Sequence, residues 1–240
     1  MGEMKISLVI PAFNEEKYIG KCLDNAIENS DGKFYEIIVV DNASTDDTEM
    51  VAKMRPGTRV VREEQKGLTR ARQRGFLEAG GDIIAWCDAD TLIPVGWLEM
   101  IHKEFEKNPH LAVLSGPYVY YDIPKWQQFL VRLYWLILAM PAYWAIGYMT
   151  IGGNFAIRKT VLEKMNGFDT MIEFYGEDTD IARRAHKFGK VKFSPVFLTY
   201  TSGRRIEGMG IFSVAFTYVL NFFSEVLFHK PANKDYTDIR

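Results

Sequence analysis

The run Ile83-Ile84-Ala85-Trp86-Cys87 passes without a break into Asp88-Ala89-Asp90, and few folds accommodate that join. A short apolar run between Gly80-Gly81 and Pro94 suits a strand buried on both faces. In an extended chain residues two apart share a side, so Asp88 and Asp90 are presented together where the strand leaves its sheet. Ligands of open α/β sheets bind at that carboxyl edge. Two carboxylates plus substrate phosphates are the usual means of holding Mg²⁺ or Mn²⁺. The competing reading is a surface turn whose aspartates cap the helix after Pro94. The rest of the chain decides between them.

Upstream, residues 6–10 read as an apolar strand stopped by Pro11. Asn14 reads as an N-cap, with Glu15 and Glu16 in the first turn of a helix reaching 29. A second strand over 36–40 ends in the polar loop 41–46, followed by a helix near 47–54 and a short strand over 58–61. Residues 66–79 form a helix closed by Gly80-Gly81, and 95–107 another after the aspartate-bearing strand. Strand–helix alternation predicts a parallel, right-handed α/β sheet whose polar loops gather at one edge. No Gly-x-Gly-x-x-Gly follows the first strand and no Gly-x-x-x-x-Gly-Lys-Ser/Thr occurs, which argues against a dinucleotide fold and a P-loop NTPase. A net charge of −2 gives no reason to expect nucleic acid as a partner. Cys22 and Cys87 suggest neither a zinc site nor a disulfide framework, and residues 1–5 enter a strand with no leader pattern, so a cytoplasmic protein is expected.

Four segments carry a specific resemblance. Val9-Ile10-Pro11-Ala12-Phe13-Asn14-Glu15-Glu16 resembles the opening of family 2 glycosyltransferases of the GT-A fold. Val39-Val40-Asp41-Asn42-Ala43-Ser44-Thr45-Asp46 is similar to that family's second nucleotide-binding loop. Ala71-Arg72-Gln73-Arg74-Gly75 and Asp88-Ala89-Asp90 resemble its Ala-Arg-Asn-x-Gly and metal-binding Asp-x-Asp segments. The resemblance implies a mostly parallel, Rossmann-like sheet and a nucleotide-sugar donor carrying UDP or GDP. Pro11, Ala12, Phe13 and Glu15 would line the nucleoside pocket, with Asp41 and Asn42 on the base-recognising loop. Lys66 and Arg72 would lie near the diphosphate, Asp90 would hold Mg²⁺ or Mn²⁺, Asp88 would face ribose or metal, and Ala89 between them would belong to the nucleotide-sugar site.

In the second half, Ile151-Gly152-Gly153-Asn154 resembles the strand on the acceptor side of the sugar pocket, where Gly153 and Asn154 would meet the donor. Gly176-Glu177-Asp178 resembles the family's Glu-Asp motif at a helix N-terminus. The chemistry of sugar transfer then calls for a base and cations: Asp178 is expected as general base for an acceptor hydroxyl, Glu177 as orienting acceptor or helix, and Arg204 or Arg205, with the metal, as cations for the leaving diphosphate. Plain helix capping is the alternative for both carboxylates. Processive synthases carry Gln-x-x-Arg-Trp after the Glu-Asp motif, whereas this chain has Thr201-Ser202-Gly203-Arg204-Arg205, which favours transfer of one sugar. Polyprenyl-phosphate sugar synthases usually read Asp-Asp-x-Ser where this chain reads Asp41-Asn42-Ala43-Ser44, so a phosphate acceptor is the alternative. A non-catalytic nucleotide-sugar or lipid-binding scaffold is the second.

The chain divides into a GT-A domain over 1–205, an amphipathic helix over 206–230 and a polar tail over 231–240. Within the domain, 1–115 is the nucleotide-sugar half and 116–205 the acceptor half, with an apolar helical insert at 126–148. Residues 133–157 carry no charge, yet one crossing here would put Asp90 and Asp178 on opposite sides of a membrane. Pro141 and Gly147 are expected to break this insert into one or two kinked helices at the interface. In 206–228, Ser213, Thr217, Asn221 and Glu225 form a narrow polar stripe on an otherwise apolar helix. Both stretches point to a protein lying on the inner face of the cell membrane, with a lipid-linked or membrane-presented acceptor.

Overall fold

A computed structural model describes residues 4–172, 174–230 and 232. The tail 231–240 therefore lies outside the described residues apart from Ala232. The first half alternates β1 (Ile6–Ala12), α1 (Ile19–Asn29), β2 (Glu36–Asp41), α2 (Thr48–Lys53), β3 (Thr58–Arg62), α3 (Leu68–Glu78), β4 (Ile83–Cys87) and α4 (Trp97–Lys107). Next come β5 (Leu111–Ser115), β6 (Tyr118–Tyr120), α5 (Lys125–Tyr134), a π-helical turn (Trp135–Ala139) and α6 (Met140–Ile146). The chain continues through β7 (Asn154–Arg158), α7 (Lys159–Lys164), α8 (Glu177–His186), β8 (Lys190–Phe193), β9 (Thr199–Thr201), α9 (Arg204–Met209) and α10 (Ile211–Phe228).

Among the described residues, seven strands form one sheet in the order β3-β2-β1-β4-β7-β5-β8. The pairings are parallel except around β7, which runs antiparallel to both β4 and β5. That inserted strand sets Asn154 beside Cys87 and so brings the second half of the chain against the aspartate loop. Apolar side chains of β1, β2 and β4 alternate between two core layers, as the period of a strand requires. Trp86 stacks on Phe155 at 5.8 Å and meets Phe168 edge-on at 5.2 Å. A Cβ at Gly75 would come within 2.3 Å of Val9, so a glycine is what lets α3 lie directly on the sheet.

Several local expectations are corrected. Asn14 is no N-cap: its φ of 53° is left-handed, its Oδ1 accepts the Thr45 N–H at 2.8 Å, and the helix starts at Ile19. Gly80-Gly81 does not cap α3, which runs into extended Ala79. Gly81 serves close approach instead, since a Cβ there would sit 2.8 Å from the backbone nitrogen of Ser7. Pro141 does not break the apolar insert. Its missing N–H is absorbed by the π-helical turn just upstream, where Met140 N–H donates to Trp135 O five residues back. The helical run ends at Gly147, with φ 84°. The C-terminal stretch is divided at Gly210, φ 79°, into α9 and α10.

The polarity of α10 is inverted relative to a surface helix of a soluble domain. Asn221 and Glu225 are buried, and Glu225 lies 3.5 Å from Arg183 of α8. Phe212, Phe216, Leu227 and Phe228 face outward. Ser213, at the start of the polar stripe, is exposed and Thr217 half-buried, so the helix packs on the acceptor half through Val214, Asn221 and Glu225.

Candidate active site

The carboxyl end of β4 delivers Asp88 and Asp90 to a cleft of about 550 Å³. Gly176, with φ 87°, turns the chain so that α8 begins with Glu177 and Asp178 in the same cleft. Arg72 of α3 lies between the two pairs and is only 1% exposed. Its Nη1 is 3.3 Å from Glu177 Oε1 and its Nη2 is 3.8 Å from Asp88 Oδ1. Glycines are required here for a steric reason. A Cβ at Gly152 would be 2.5 Å from Arg72 Nη2, and one at Gly153 would be 2.4 Å from Asp88 Oδ2. Guanidinium and carboxylate thus pass directly against bare backbone.

A second cation closes the other side. Arg204 donates to both Glu15 oxygens, at 2.9 and 2.6 Å, and its Nη2 is 3.0 Å from Asp90 Oδ2. The Thr201 hydroxyl donates to Asp90 Oδ1 at 3.1 Å. Lys66 Nζ stands 3.9 Å above the Phe13 ring. Pro11, Ala12, Asn42 and Arg205 complete the expected residues that line the cleft.

Three expected contacts are corrected. Asp41 is fully buried outside the cleft lining, accepting from Arg62 Nη1 at 2.7 Å and the Ser44 N–H at 3.2 Å. Ala89 packs into the core with its methyl group. Asn154 is a buried junction: its amide donates to the carbonyls of Gly116, Pro117 and Phe197 and accepts from Trp97 Nε1 at 3.0 Å. With that amide fully engaged, Asn154 ties loops together rather than facing the cleft.

The acids are short of compensating charge. Burial, then the charge of Asp178, raises Glu177 above the ordinary carboxylate range, with Arg72 opposing. Burial raises Asp178 as well, against Arg72 and the Thr179 N–H that it accepts at 2.7 Å. Asp90 is 8% exposed and is pushed up to about 7 by burial, with Arg204 opposing and Asp88 and Glu15 adding to the rise. A buried carboxylate beside two others is relieved by a divalent cation, and an all-oxygen set suits Mg²⁺ or Mn²⁺. Among the described residues no group of three or more His, Cys, Asp or Glu side chains forms a metal site by itself. Asp88 and Asp90 therefore fit a cation whose remaining ligands come from the substrate.

Sequence patterns did not single out Thr201, or the tyrosines Tyr118, Tyr120, Tyr134, Tyr175 and Tyr218 that line the cleft beyond the acids.

The family model described as glycosyl transferase family 2 matches residues 7–165, more than half of the 240-residue chain. The chain belongs to this family. The dolichol-phosphate mannosyltransferase of Pyrococcus furiosus is 33% identical to this family member over 119 residues, 47% of the chain and 33% of that relative. The chain thus matches about a third of that relative's length. A mannosyltransferase from Pyrobaculum calidifontis, solved with GDP-Man and Mn²⁺, superposes with a TM-score of 0.64 at 22% identity, covering 84% of this chain and 58% of that one. Glucosyl-3-phosphoglycerate synthase from Mycobacterium tuberculosis, solved with Mn²⁺, UDP and phosphoglyceric acid, gives 0.66 at 20% identity, covering 93% and 78%. At such identities the likeness establishes a shared GT-A fold, with a mostly parallel sheet between helices.

Proposed function

We propose that the protein is an inverting glycosyltransferase moving one sugar from a UDP- or GDP-sugar to a hydroxyl acceptor presented at a membrane. The observation that carries this reading is the single cleft in which Arg72, beside Asp88, reaches Glu177, 105 residues further along the chain. Cleaving the bond from the anomeric carbon to the diphosphate oxygen leaves that pair of electrons on the diphosphate. Lys66 and Arg72 are positioned to meet the charge. Asp88 and Asp90 would hold Mg²⁺ or Mn²⁺, which supplies Lewis-acid stabilisation of the departing diphosphate. Asp178 takes the proton from the acceptor hydroxyl as that oxygen attacks the opposite face of the anomeric carbon. A single displacement inverts the configuration. Glu177, clamped by Arg72, holds the start of α8 in place.

Two helical runs, Lys125–Ile146 and Ile211–Phe228, are long and apolar enough to cross a membrane by length and composition. A lie along the surface is favoured over a crossing because Asp90 and Asp178 share the cleft on either side of the first run. That run also packs lengthwise on the domain, with Trp135 stacked on Phe193 at 5.7 Å and the Tyr143 hydroxyl donating to Val191 O at 3.3 Å. This supports a monotopic protein on the cytoplasmic face of the cell membrane. A phosphate acceptor is the second reading, favoured by the likeness to a dolichol-phosphate mannosyltransferase. An ionised phosphate needs no base, and Asp178 would then position it.

The test is release of nucleoside diphosphate from a panel of UDP- and GDP-sugars with Mn²⁺ or Mg²⁺. Release with at least one donor, abolished by EDTA, is expected. No release from any donor, or release indifferent to metal, contradicts the reading.

A further inference from the structure

Beyond Asp178 the cleft changes character. Tyr118, Tyr134 and Tyr218 line the same cleft as Glu177 and Asp178. Beside these hydroxyls the lining is largely apolar, with Trp135 and Leu138 of the π-helical turn on one wall and Val219, Phe222 and Phe223 of α10 on the other, buried Asn221 standing among the latter. The rim itself is apolar: Leu138 is 55% exposed and Phe223 46%. Both belong to the outward faces of their helices, continuing into Leu133, Leu136 and Ile137 on one and Phe216, Leu220 and Leu227 on the other. The π-helical turn falls at this wall because Pro141 follows it, and such a turn widens the helix locally.

On the transferase reading above, we propose that this passage holds the hydrocarbon chain of a lipid acceptor, which leaves the catalytic centre between the π-helical turn and α10. The tyrosines take the polar head next to Asp178, being apolar in body and polar at the tip. The chain then passes over Leu138 and Phe223 to the apolar helix faces without meeting a polar rim. The two half-exposed side chains at this mouth, Leu138 and Phe223, favour a hydrocarbon chain over a wholly water-soluble acceptor. The burial of Asn221 and Glu225 fits the same occupant, because it leaves Phe212, Phe216, Leu220 and Leu227 of that helix outward for the lipid side.

The experiment is calorimetric titration of the full chain, loaded with Mn²⁺ and UDP or GDP, with butyl and decyl β-glucoside below their micelle concentrations. Decyl glucoside is expected to bind wild type more tightly than butyl glucoside by about tenfold or more, since each buried methylene adds to the transfer free energy. Leu138→Glu and Phe223→Glu, half-exposed positions where folding is checked by melting temperature, are expected to erase that difference. Trp126→Ser and Phe212→Ser, on the same apolar faces but away from the cleft, are expected to keep it. Equal affinity for the two glucosides in a wild type that binds nucleotide overturns the passage and leaves the transferase reading intact. Loss of the chain effect in Trp126→Ser or Phe212→Ser with retention in Leu138→Glu also overturns it, by assigning the effect to the outer surface. Failure of wild type to bind either nucleotide overturns the transferase reading and the passage together.

Discussion

Asp90→Asn is expected to lower sugar-nucleotide turnover by about a thousandfold, because it removes a metal ligand at the point where leaving-group charge accumulates. The change keeps the shape of the side chain, so its effect is electrostatic. Arg204 retains both Glu15 oxygens when it loses Asp90, and Thr201 keeps an oxygen to donate to. Burial already works against the Asp90 charge, so the metal-free protein should not lose stability. The expected pattern is therefore specific: an unchanged metal-free melting temperature, weakened nucleotide affinity in Mn²⁺, and unchanged affinity in EDTA. A variant that turns over at the wild-type rate would remove Asp90 from the metal site.

Asp178→Asn is expected to cost about 10²–10⁴-fold in kcat with little change in donor affinity, the range for losing a general base. The carboxylate must be ionised to accept a proton. Its pKa is raised by burial, so wild-type kcat should rise with pH above the ordinary aspartate range and level off once Asp178 is deprotonated. In Asp178→Asn that acid limb should vanish. The same variant separates the two acceptor readings. Near-wild-type kcat with a phosphate acceptor, alongside a large loss with a hydroxyl acceptor, would identify Asp178 as base for the latter alone.

The strand leading into the early half of the site was legible because it rests on local periodicity, and β4 lies where the apolar run predicted it. It ends at Cys87, however, and Asp88 and Asp90 reach one cleft through a turn in which the Thr91 N–H donates to Asp88 O at 3.0 Å, rather than through the strand period. The Glu-Asp pair was legible as a helix start, and α8 begins at Glu177. Their union through Arg72 was not, since nothing local connects Arg72 to Glu177, 105 residues away. Asn154 was misread because the neighbouring glycines do face the substrate side while its own amide turns inward to four partners. Asp41 was misplaced for a similar reason, its carboxylate being taken by Arg62 from the adjacent strand. The stripe on α10 shows a different limit. Helical spacing told which residues share a face, but only packing against Arg183 reveals that the stripe's C-terminal part, Asn221 and Glu225, is buried while Ser213 stays exposed.

The central claim is that both acidic pairs act on one nucleotide sugar and one divalent cation in the cleft bridged by Arg72. It is tested most directly by the melting temperature with Mn²⁺ and UDP or GDP added separately and together, in wild type and in Asp90→Asn, since only ligands of the native state raise it. One of the nucleotides is predicted to raise the wild-type value markedly with Mn²⁺, much less without it, and hardly at all in Asp90→Asn. No rise with either nucleotide, or the same rise with and without metal in both proteins, would contradict the account.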